Sequence, residues 1–149
     1  MNSFFAAVAE NKILMVAISA WVLAQVLKTL VYYCILKEIT LERMFGAGGM
    51  PSSHSALVVS LSTAIGMVEG VESTNFAIAV VFAGVVMYDA TGVRQAAGKH
   101  AKAINRIVKQ LSSKNTFDDS SLKELLGHTP IEVIAGALLG FIVAYIFTK

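Results

Sequence analysis

Charged residues are scarce in this sequence. Asp, Glu, Lys and Arg make up 15% of its 149 residues, whereas hydrophobic residues make up 56%. A soluble domain carries about 25% charged residues, so the shortage argues against a soluble globular protein. The hydrophobic residues also occur in long blocks, which indicates an integral membrane protein. The net charge is only +2, and we expect no nucleic-acid partner.

Cysteine is almost absent as well. Cys34 stands alone, so the chain cannot form an internal disulfide, and its place within an apolar run predicts a small buried side chain. Basic residues are missing from Met1–Glu10, which therefore does not resemble the start of a cleaved signal peptide. The short apolar run from Phe4 to Val8 is expected to lie at the membrane surface.

Four apolar segments are candidates for membrane spans, at about 13–36, 55–70, 74–93 and 131–148. A spanning helix needs about 20 residues, so the second and fourth segments are short unless they extend into their flanking motifs. The predicted fold is all-α. We expect a single membrane domain over residues 1–149, with about four transmembrane helices and a basic amphipathic interfacial helix.

Basic residues are unevenly distributed around these segments. With four spans, both termini lie on one side of the membrane and the loops at 37–54 and 94–130 lie on the other. Nine Lys and Arg residues fall in the two loops, against two on the terminal side. Because cytoplasmic loops are enriched in Lys and Arg, both loops are predicted to face the cytoplasm. The membrane would be a bacterial inner membrane or its organellar equivalent.

The second loop contains an amphipathic pattern. Its apolar residues recur at helical spacing: Val93, Ala97, Ile104, Ile107, Val108 and Leu111. Its basic residues occupy other faces: Lys99, Lys102, Arg106 and Lys109. The pattern predicts a helix that lies on an anionic leaflet or packs on the spans with its basic face in solvent, and the two can coexist. Further on, Ser121 and Glu124 fit a capping box that opens a short helix ended by Gly127.

Two histidines occupy matching positions at the starts of spans. His54 directly precedes the second segment, and His128 stands just before the fourth. The start of a helix is the correct electrostatic end for an anion, because unpaired backbone N–H groups point outward there. Small residues near His54 would complete a phosphate site by giving backbone room and hydroxyl donors: Gly48, Gly49, Ser52 and Ser53.

Cationic side chains for a phosphate are available on the same face: Lys28, Lys37, Arg43 and Arg94. Lys28 lies inside the first span, where an ionisable residue is a functional candidate by default. A snorkelling lysine or an ion pair with Asp89 would also account for it, and the other three cations also fit ordinary positive-inside anchoring. Asp89 itself is a candidate to pair with Lys28 or Arg94, or to hold a divalent cation with Glu132. A structural ion pair is the favoured alternative.

Glu132 lies four residues after His128, which places both side chains on one helical face. A carboxylate bonded to one ring nitrogen fixes the tautomer and leaves the other nitrogen available to attack. The stretch from Thr129 to Glu132 is also a capping box, with Pro130 at the first helical position. Glu132 therefore either orients His128 or serves only as a cap.

Three stretches resemble the divergent bacterial and plastid branch of the type 2 phosphatidic acid phosphatase superfamily: GGMPSSHSA, MYDATGVRQAAG and LGHTPIEVIAGALLG. Vanadium-dependent haloperoxidases share that superfamily, and the resemblance extends from about Gln25 to Gly140. It implies that His54 protonates the leaving oxygen and that His128 is the nucleophile that forms a phosphohistidine. Glu132 stands where an aspartate would orient that nucleophile. No cofactor and no metal are implied.

Some positions depart from the superfamily pattern. Leu122 stands where the third motif has an arginine. Lys37 and Arg43 are one residue too close for the first motif, and no proline follows them. Members usually have six spans, and the four here would correspond to the last four. The candidate replacements for the missing arginine are Arg94 and Lys123, and Lys28 is the candidate to hold the phosphate in place of the first-motif cations.

The leading hypothesis is a membrane phosphatase that hydrolyses a lipid phosphate monoester or diphosphate through a phosphohistidine. The missing arginine favours a second hypothesis, a catalytically inactive protein that binds anionic lipid headgroups as a scaffold or regulatory subunit. A third is a transporter or proton pathway built on Lys28 and Asp89, and a haloperoxidase is disfavoured because it needs vanadate. The expected partners are a lipid phosphate and anionic membrane lipids. A homodimer is also expected, because four helices give little surface to enclose a polar site.

Overall fold

The computed structural model describes residues 2–37, 49–112 and 127–149, and every regular element in these ranges is an α-helix. In chain order the helices are α1 (Asn2–Glu10), α2 (Lys12–Leu36), α3 (Ser53–Val68), α4 (Thr74–Thr91), α5 (Val93–Ser112) and α6 (Pro130–Thr148). The prediction of an all-α fold is confirmed. The apolar spacing in the second loop corresponds to α5.

Polar side chains fix the starts of the long helices. Four residues act as N-caps, each accepting a hydrogen bond from a backbone N–H of the first turn: Asn11, Ser52, Ser73 and Thr129. Such caps satisfy donors that the helix cannot pair internally. At the other end of α2, Lys37 adopts a left-handed φ of 52° and its N–H donates to the Tyr33 carbonyl at 2.9 Å. Local sequence therefore determines where these helices begin and end.

α3 is the central helix of the bundle and packs against α2, α4 and α6. Its buried face consists mainly of serine and alanine, which allow close approach of neighbouring helices. On α6, Gly136 faces the carbonyl of Ser52 and Gly140 faces the carbonyl of Ala56, and a Cβ on either glycine would overlap that oxygen. The matching order of these contacts shows that α3 and α6 run parallel. Both helices therefore start at the same end of the bundle.

α2 and α4 run antiparallel to α3. Gly49, just before α3, packs on the Tyr32 ring near the end of α2. Further along α3, the Ser60 hydroxyl donates to the Val16 carbonyl near the start of α2 at 3.4 Å. α4 follows α3 through a turn at residues 69–73 and returns alongside it. The end of α2, the start of α3, the end of α4 and the start of α6 consequently meet at one end.

Small and branched aliphatic residues form the core, and large apolar side chains cover its outside. One buried cluster joins α2, α3 and α6: Val16, Ala20, Ala64, Val143 and Ala144. On the outer surface, Val81, Ile131 and Ile146 are 68%, 69% and 63% exposed. So much exposed apolar surface on every outer helix is typical of a bundle that faces lipid.

Three segments of the described chain are long and apolar enough to cross a membrane: Lys12–Cys34, Thr74–Gln110 and Pro130–Thr148. The second contains α4 and continues into α5. α3 has 16 residues and is about 24 Å long, against about 30 Å for the hydrocarbon core. Because three other helices pack against it, its length need not match the thickness of the lipid.

One side-chain prediction is wrong. Cys34 is exposed rather than buried. It lies one turn after Leu30, which is 52% exposed, on the side of α2 that faces away from the bundle. An apolar run predicts a helix that lies in lipid, but it does not predict which face of that helix packs against the other helices. Several predicted features lie outside the described residues: Arg43, Gly48, Leu122, Lys123 and the capping box at Ser121 and Glu124.

Candidate active site

His128 lies two residues before the start of α6, and its ring contacts the carboxylate of Glu132 in the first turn of that helix. Its Nδ1 lies 2.9 Å from Glu132 Oε2, and its side chain is only 6% exposed. Its backbone N–H donates to the carbonyl of Ala90 at the end of α4, at 3.0 Å. Both the ring and the main chain of His128 are therefore anchored. A neutral ring that donates its Nδ1 proton to this carboxylate carries its lone pair on Nε2.

Glu132 also caps α6. The same oxygen, Oε2, accepts the Thr129 N–H at 3.3 Å, while the Glu132 N–H donates to Thr129 Oγ1 at 3.4 Å. Pro130 occupies the first helical position. The two alternatives that the sequence left open thus occur together. The capping box fixes the carboxylate, and the fixed carboxylate orients the ring of His128.

The stretch before α3 is tied to the same turn of α6. The Ser52 N–H donates to the Glu132 carbonyl at 3.0 Å. Ser52 is fully buried, and its hydroxyl oxygen accepts from the Ser55 hydroxyl at 3.0 Å and from the Ser55 N–H at 3.4 Å. The Ser52 hydroxyl therefore caps α3, and Ser53 is buried beside it. For an anion, the first turn of α3 offers the N–H groups of Ser53 and His54, for which a helix has no internal acceptor.

His54 lies in that first turn and is exposed. Four other groups act electrostatically on its ring: Arg94, His128, Lys28 and Asp89. They come from α5, the start of α6, α2 and α4. Two imidazoles, two cations and one carboxylate are therefore assembled at one end of the bundle.

Lys28 contributes a buried cation from α2, at 3% exposure. One turn earlier, the side-chain oxygen of Gln25 is buried without a hydrogen-bond partner among the described residues. The two residues lie on the same helical face. Polar groups thus extend from the end of the bundle into the apolar part of α2.

Asp89 pairs with Arg94 across the junction of α4 and α5. Arg94 Nε donates to Asp89 Oδ2 at 2.8 Å, and the two side chains are about half exposed. An exposed ion pair contributes about 0–1 kcal/mol, so a phosphate is able to compete with Asp89 for the guanidinium. No group of three His, Cys, Asp or Glu side chains suited to a metal ion occurs in the described ranges.

Lys37 and Gly49 occupy the rim of this region. Lys37 is exposed at the end of α2, and no described contact joins its side chain to either histidine. Gly49 has a φ of 89°, and a Cβ there would lie 2.6 Å from the Tyr32 hydroxyl. Glycine is thus required at position 49 both by backbone conformation and by the approach of α2.

Three further glycines allow the helix ends that carry the site residues to approach one another closely. The sequence analysis did not include these glycines among the site residues. Gly127 lies against the start of α5, where a Cβ would come within 2.8 Å of the Arg94 carbonyl carbon. Gly136 and Gly140 hold α6 against α3. The spacing of four residues between the last two is a recognised signal for close helix packing in membranes.

An apolar groove opens beside the site, between α4 and α6. Its volume is about 580 Å³, and its lining residues are Met87, Tyr88, Thr91, Pro130, Val133, Ile134, Ala137 and Leu138. Thr91 adjoins Ala90, the hydrogen-bond partner of His128, and Pro130 opens α6. One end of the groove therefore lies near the backbone of His128, which is not itself a lining residue, and the groove follows α6 away from that end.

A family model described as the divergent PAP2 family matches residues 9–143. The chain is similar to the uncharacterized membrane protein YuiD of Bacillus subtilis (strain 168), with 38% identity over 149 residues that cover 90% of this chain and 94% of that protein. No solved structure matches the chain. The matched range contains both histidines and the glycines that pack α6 on α3, and the family match confirms the resemblance read from the motifs. This integral membrane protein therefore belongs to the divergent PAP2 family.

Proposed function

We propose that the protein is a phosphatase that hydrolyses a lipid phosphate monoester or diphosphate through a phosphohistidine on His128. The observation that carries the proposal is the pair of buried His128 and partly buried Glu132, 2.9 Å apart, at the same end of the bundle as His54. An imidazole oriented by a carboxylate presents one nitrogen as a nucleophile. Membership of a phosphatase-related family supports the assignment.

In the first step, Nε2 of His128 attacks phosphorus in line with the leaving oxygen. The P–N bond forms while the bond from phosphorus to the lipid oxygen breaks. Protonated His54 donates its proton to that oxygen, so that a neutral alcohol leaves from a monoester. In a diphosphate the bond to the bridging oxygen breaks instead, and a lipid monophosphate leaves. Glu132 offsets the positive charge that develops on the His128 ring.

In the second step, water attacks the phosphohistidine. His54, now neutral, accepts a proton from the water as the P–N bond breaks. Inorganic phosphate departs, and both histidines return to their starting states. General acid–base catalysis of this kind contributes about 10²–10⁴-fold.

Cationic and N–H donors would stabilise the phosphoryl oxygens during transfer. Lys28 and Arg94 both act electrostatically on the His54 ring, and the N–H groups of Ser53 and His54 lie in the first turn of α3. Donors already placed where charge develops lower the barrier without reorganisation at the moment of reaction.

The groove between α4 and α6 supports a lipid as the substrate. It starts near the backbone of His128 and has an apolar lining, so an acyl or polyprenyl chain in the groove would hold its phosphate near the imidazole. The excess of Lys and Arg in the two loops supports a cytoplasmic position for this end of the bundle. Phosphatidic acid, phosphatidylglycerophosphate and polyprenyl phosphates are the candidate substrates.

The proposal is tested by measuring phosphate release from a panel of these lipids by the purified protein in mixed micelles. We expect release from at least one of them, and its loss to background in both His128→Ala and His54→Ala at unchanged protein yield. Lys149→Gln, at the opposite end of α6, is the control and should retain full activity. Failure of the wild-type protein to release phosphate from any of these lipids would overturn the proposal.

Leu122 in place of the superfamily arginine favours one alternative, a protein that binds anionic headgroups without turnover. The same micelles distinguish the two functions. Saturable binding of a lipid phosphate that is recovered intact, and that is weakened by His128→Ala, would select the binding protein over the phosphatase.

A further inference from the structure

α5 carries two surfaces of opposite character. Its sequence contains no Asp or Glu and has five basic residues: Arg94, Lys99, Lys102, Arg106 and Lys109. At 100° per residue these fall on one half of the helix, and the larger apolar residues fall on the other half: Val93, Ile104, Ile107 and Val108. The division defines a basic half and an apolar stripe along the helix, and His100 lies on the side of the stripe.

The apolar stripe is not covered by the bundle. Among the described helices, α5 packs only against α4, which directly precedes it. Val93, Ile104 and Ile107 are 59%, 45% and 54% exposed, in the same range as the outward-facing residues of α4 and α6. Leaving such a stripe in water is unfavourable, so α5 requires a covering surface.

The position of α5 favours a particular cover. A single residue, Gly92, separates α5 from the end of α4. Because α4 anchors it, α5 experiences a high effective concentration of lipid surface. Basic residues next to a membrane span are attracted to anionic headgroups. A second α5 would satisfy the apolar stripe but would bring ten positive charges together, since each copy carries five and no acid.

We infer that α5 binds the surface of the bilayer that holds the bundle, with its apolar stripe among the acyl chains and its basic half against anionic phospholipid headgroups. The sequence pattern left two placements open for this helix, and the exposed stripe selects the one on the lipid. The inference concerns lipid binding by α5 alone and does not depend on hydrolysis at His128.

The test uses the full chain in proteoliposomes. Cys34→Ser removes the only cysteine, and a fluorophore is then attached at Ile104→Cys on the stripe or at Lys102→Cys on the basic half. Quenching of the fluorophore is measured with lipids brominated on their acyl chains. One set of vesicles contains about 30% phosphatidylglycerol, so that its surface is anionic, and the other contains phosphatidylcholine alone.

In the anionic vesicles we expect acyl-chain quenching at position 104 at least about threefold stronger than at position 102, consistent with burial of one helical face. We expect the quenching at 104 to weaken in phosphatidylcholine, at high salt, and in the variant Lys99→Gln/Arg106→Gln/Lys109→Gln. A control that removes two positive charges away from α5, Lys12→Gln/Lys149→Gln, should leave it unchanged. Equal quenching at both positions, or a disulfide between two copies through Ile104→Cys in place of quenching, would overturn the inference.

Discussion

A single carboxylate oxygen of Glu132 performs two tasks. It accepts the Thr129 N–H and so caps α6, and it lies 2.9 Å from His128 Nδ1. The cap holds the carboxylate still, which in turn fixes the His128 ring in one tautomer. Structural and chemical roles are therefore coupled at this residue, and two substitutions separate them.

Glu132→Gln retains a side chain able to complete the capping box but removes the negative charge behind the imidazole. Because that charge would stabilise the imidazolium that forms during attack, we expect kcat to fall at least about 10²-fold with little change in thermal stability. Glu132→Ala removes the cap as well and should also lower stability by about 0.5–2 kcal/mol. Phosphate release and thermal unfolding in detergent check both. Wild-type kcat in Glu132→Gln would show that the residue is only a cap.

Contacts between residues close in the sequence were predictable, and contacts across helices were not. The pair of His128 and Glu132 follows from a spacing of four, and Asp89 pairs with Arg94 over a similarly short distance. The phosphate-binding role of Ser52 stays a prediction, and the structure adds that its hydroxyl caps α3 and that its N–H donates to the Glu132 carbonyl of α6. Cys34 was expected to be buried and is exposed. The prediction failed because hydrophobicity alone does not reveal which face of α2 meets lipid.

The packing of α6 on α3 determines the geometry of the site at the level of the helices. Gly136 and Gly140 let the α6 backbone approach the carbonyls of Ser52 and Ala56, and the two helices run parallel from a common end. Periodicity and caps predict each helix separately. The register between them depends on which small residues face each other, which a single sequence does not specify.

Gly136→Ala and Gly84→Ala form a matched pair that tests this packing. A Cβ at position 136 would overlap the Ser52 carbonyl, whereas one at position 84 of α4 meets nothing within 4 Å. We expect Gly136→Ala to destabilise the protein by about 1–3 kcal/mol through overpacking and to reduce activity by displacing His54 from His128. Gly84→Ala should be neutral or stabilise by up to about 1 kcal/mol. Equal effects of the two in thermal unfolding would contradict the close approach of α6 to α3.

At the scale of the whole molecule, the bundle brings two histidines that are far apart in the chain to one end. His54 and His128 reach it because α3 and α6 are parallel, while antiparallel α2 and α4 add Lys28 and Asp89. The four-segment pattern of the sequence already placed both histidines on one side. The charge count in the loops predicts that this side faces the cytoplasm, and the orientation can be tested separately from the fold.

Cysteine labelling in a Cys34→Ser background tests this orientation. Lys99→Cys on α5 and Lys149→Cys after α6 lie at opposite ends of the bundle if α6 crosses the membrane. In sealed, right-side-out spheroplasts, we expect an impermeant maleimide to label position 149 and to reach position 99 only after lysis. Labelling of position 99 in intact cells would place the histidines on the outer face.

Trapping of the covalent intermediate tests the central claim most directly. A lipid labelled on its phosphate is mixed with the protein, and the reaction is quenched in alkali, which preserves phosphohistidine. The modified residue is then identified by mass spectrometry. We predict a transient phosphoryl group on His128 that is absent from His128→Asn and that turns over more slowly in His54→Asn. Phosphate release without a modified His128, or a phosphoryl group on another residue that persists in His128→Asn, would contradict the account.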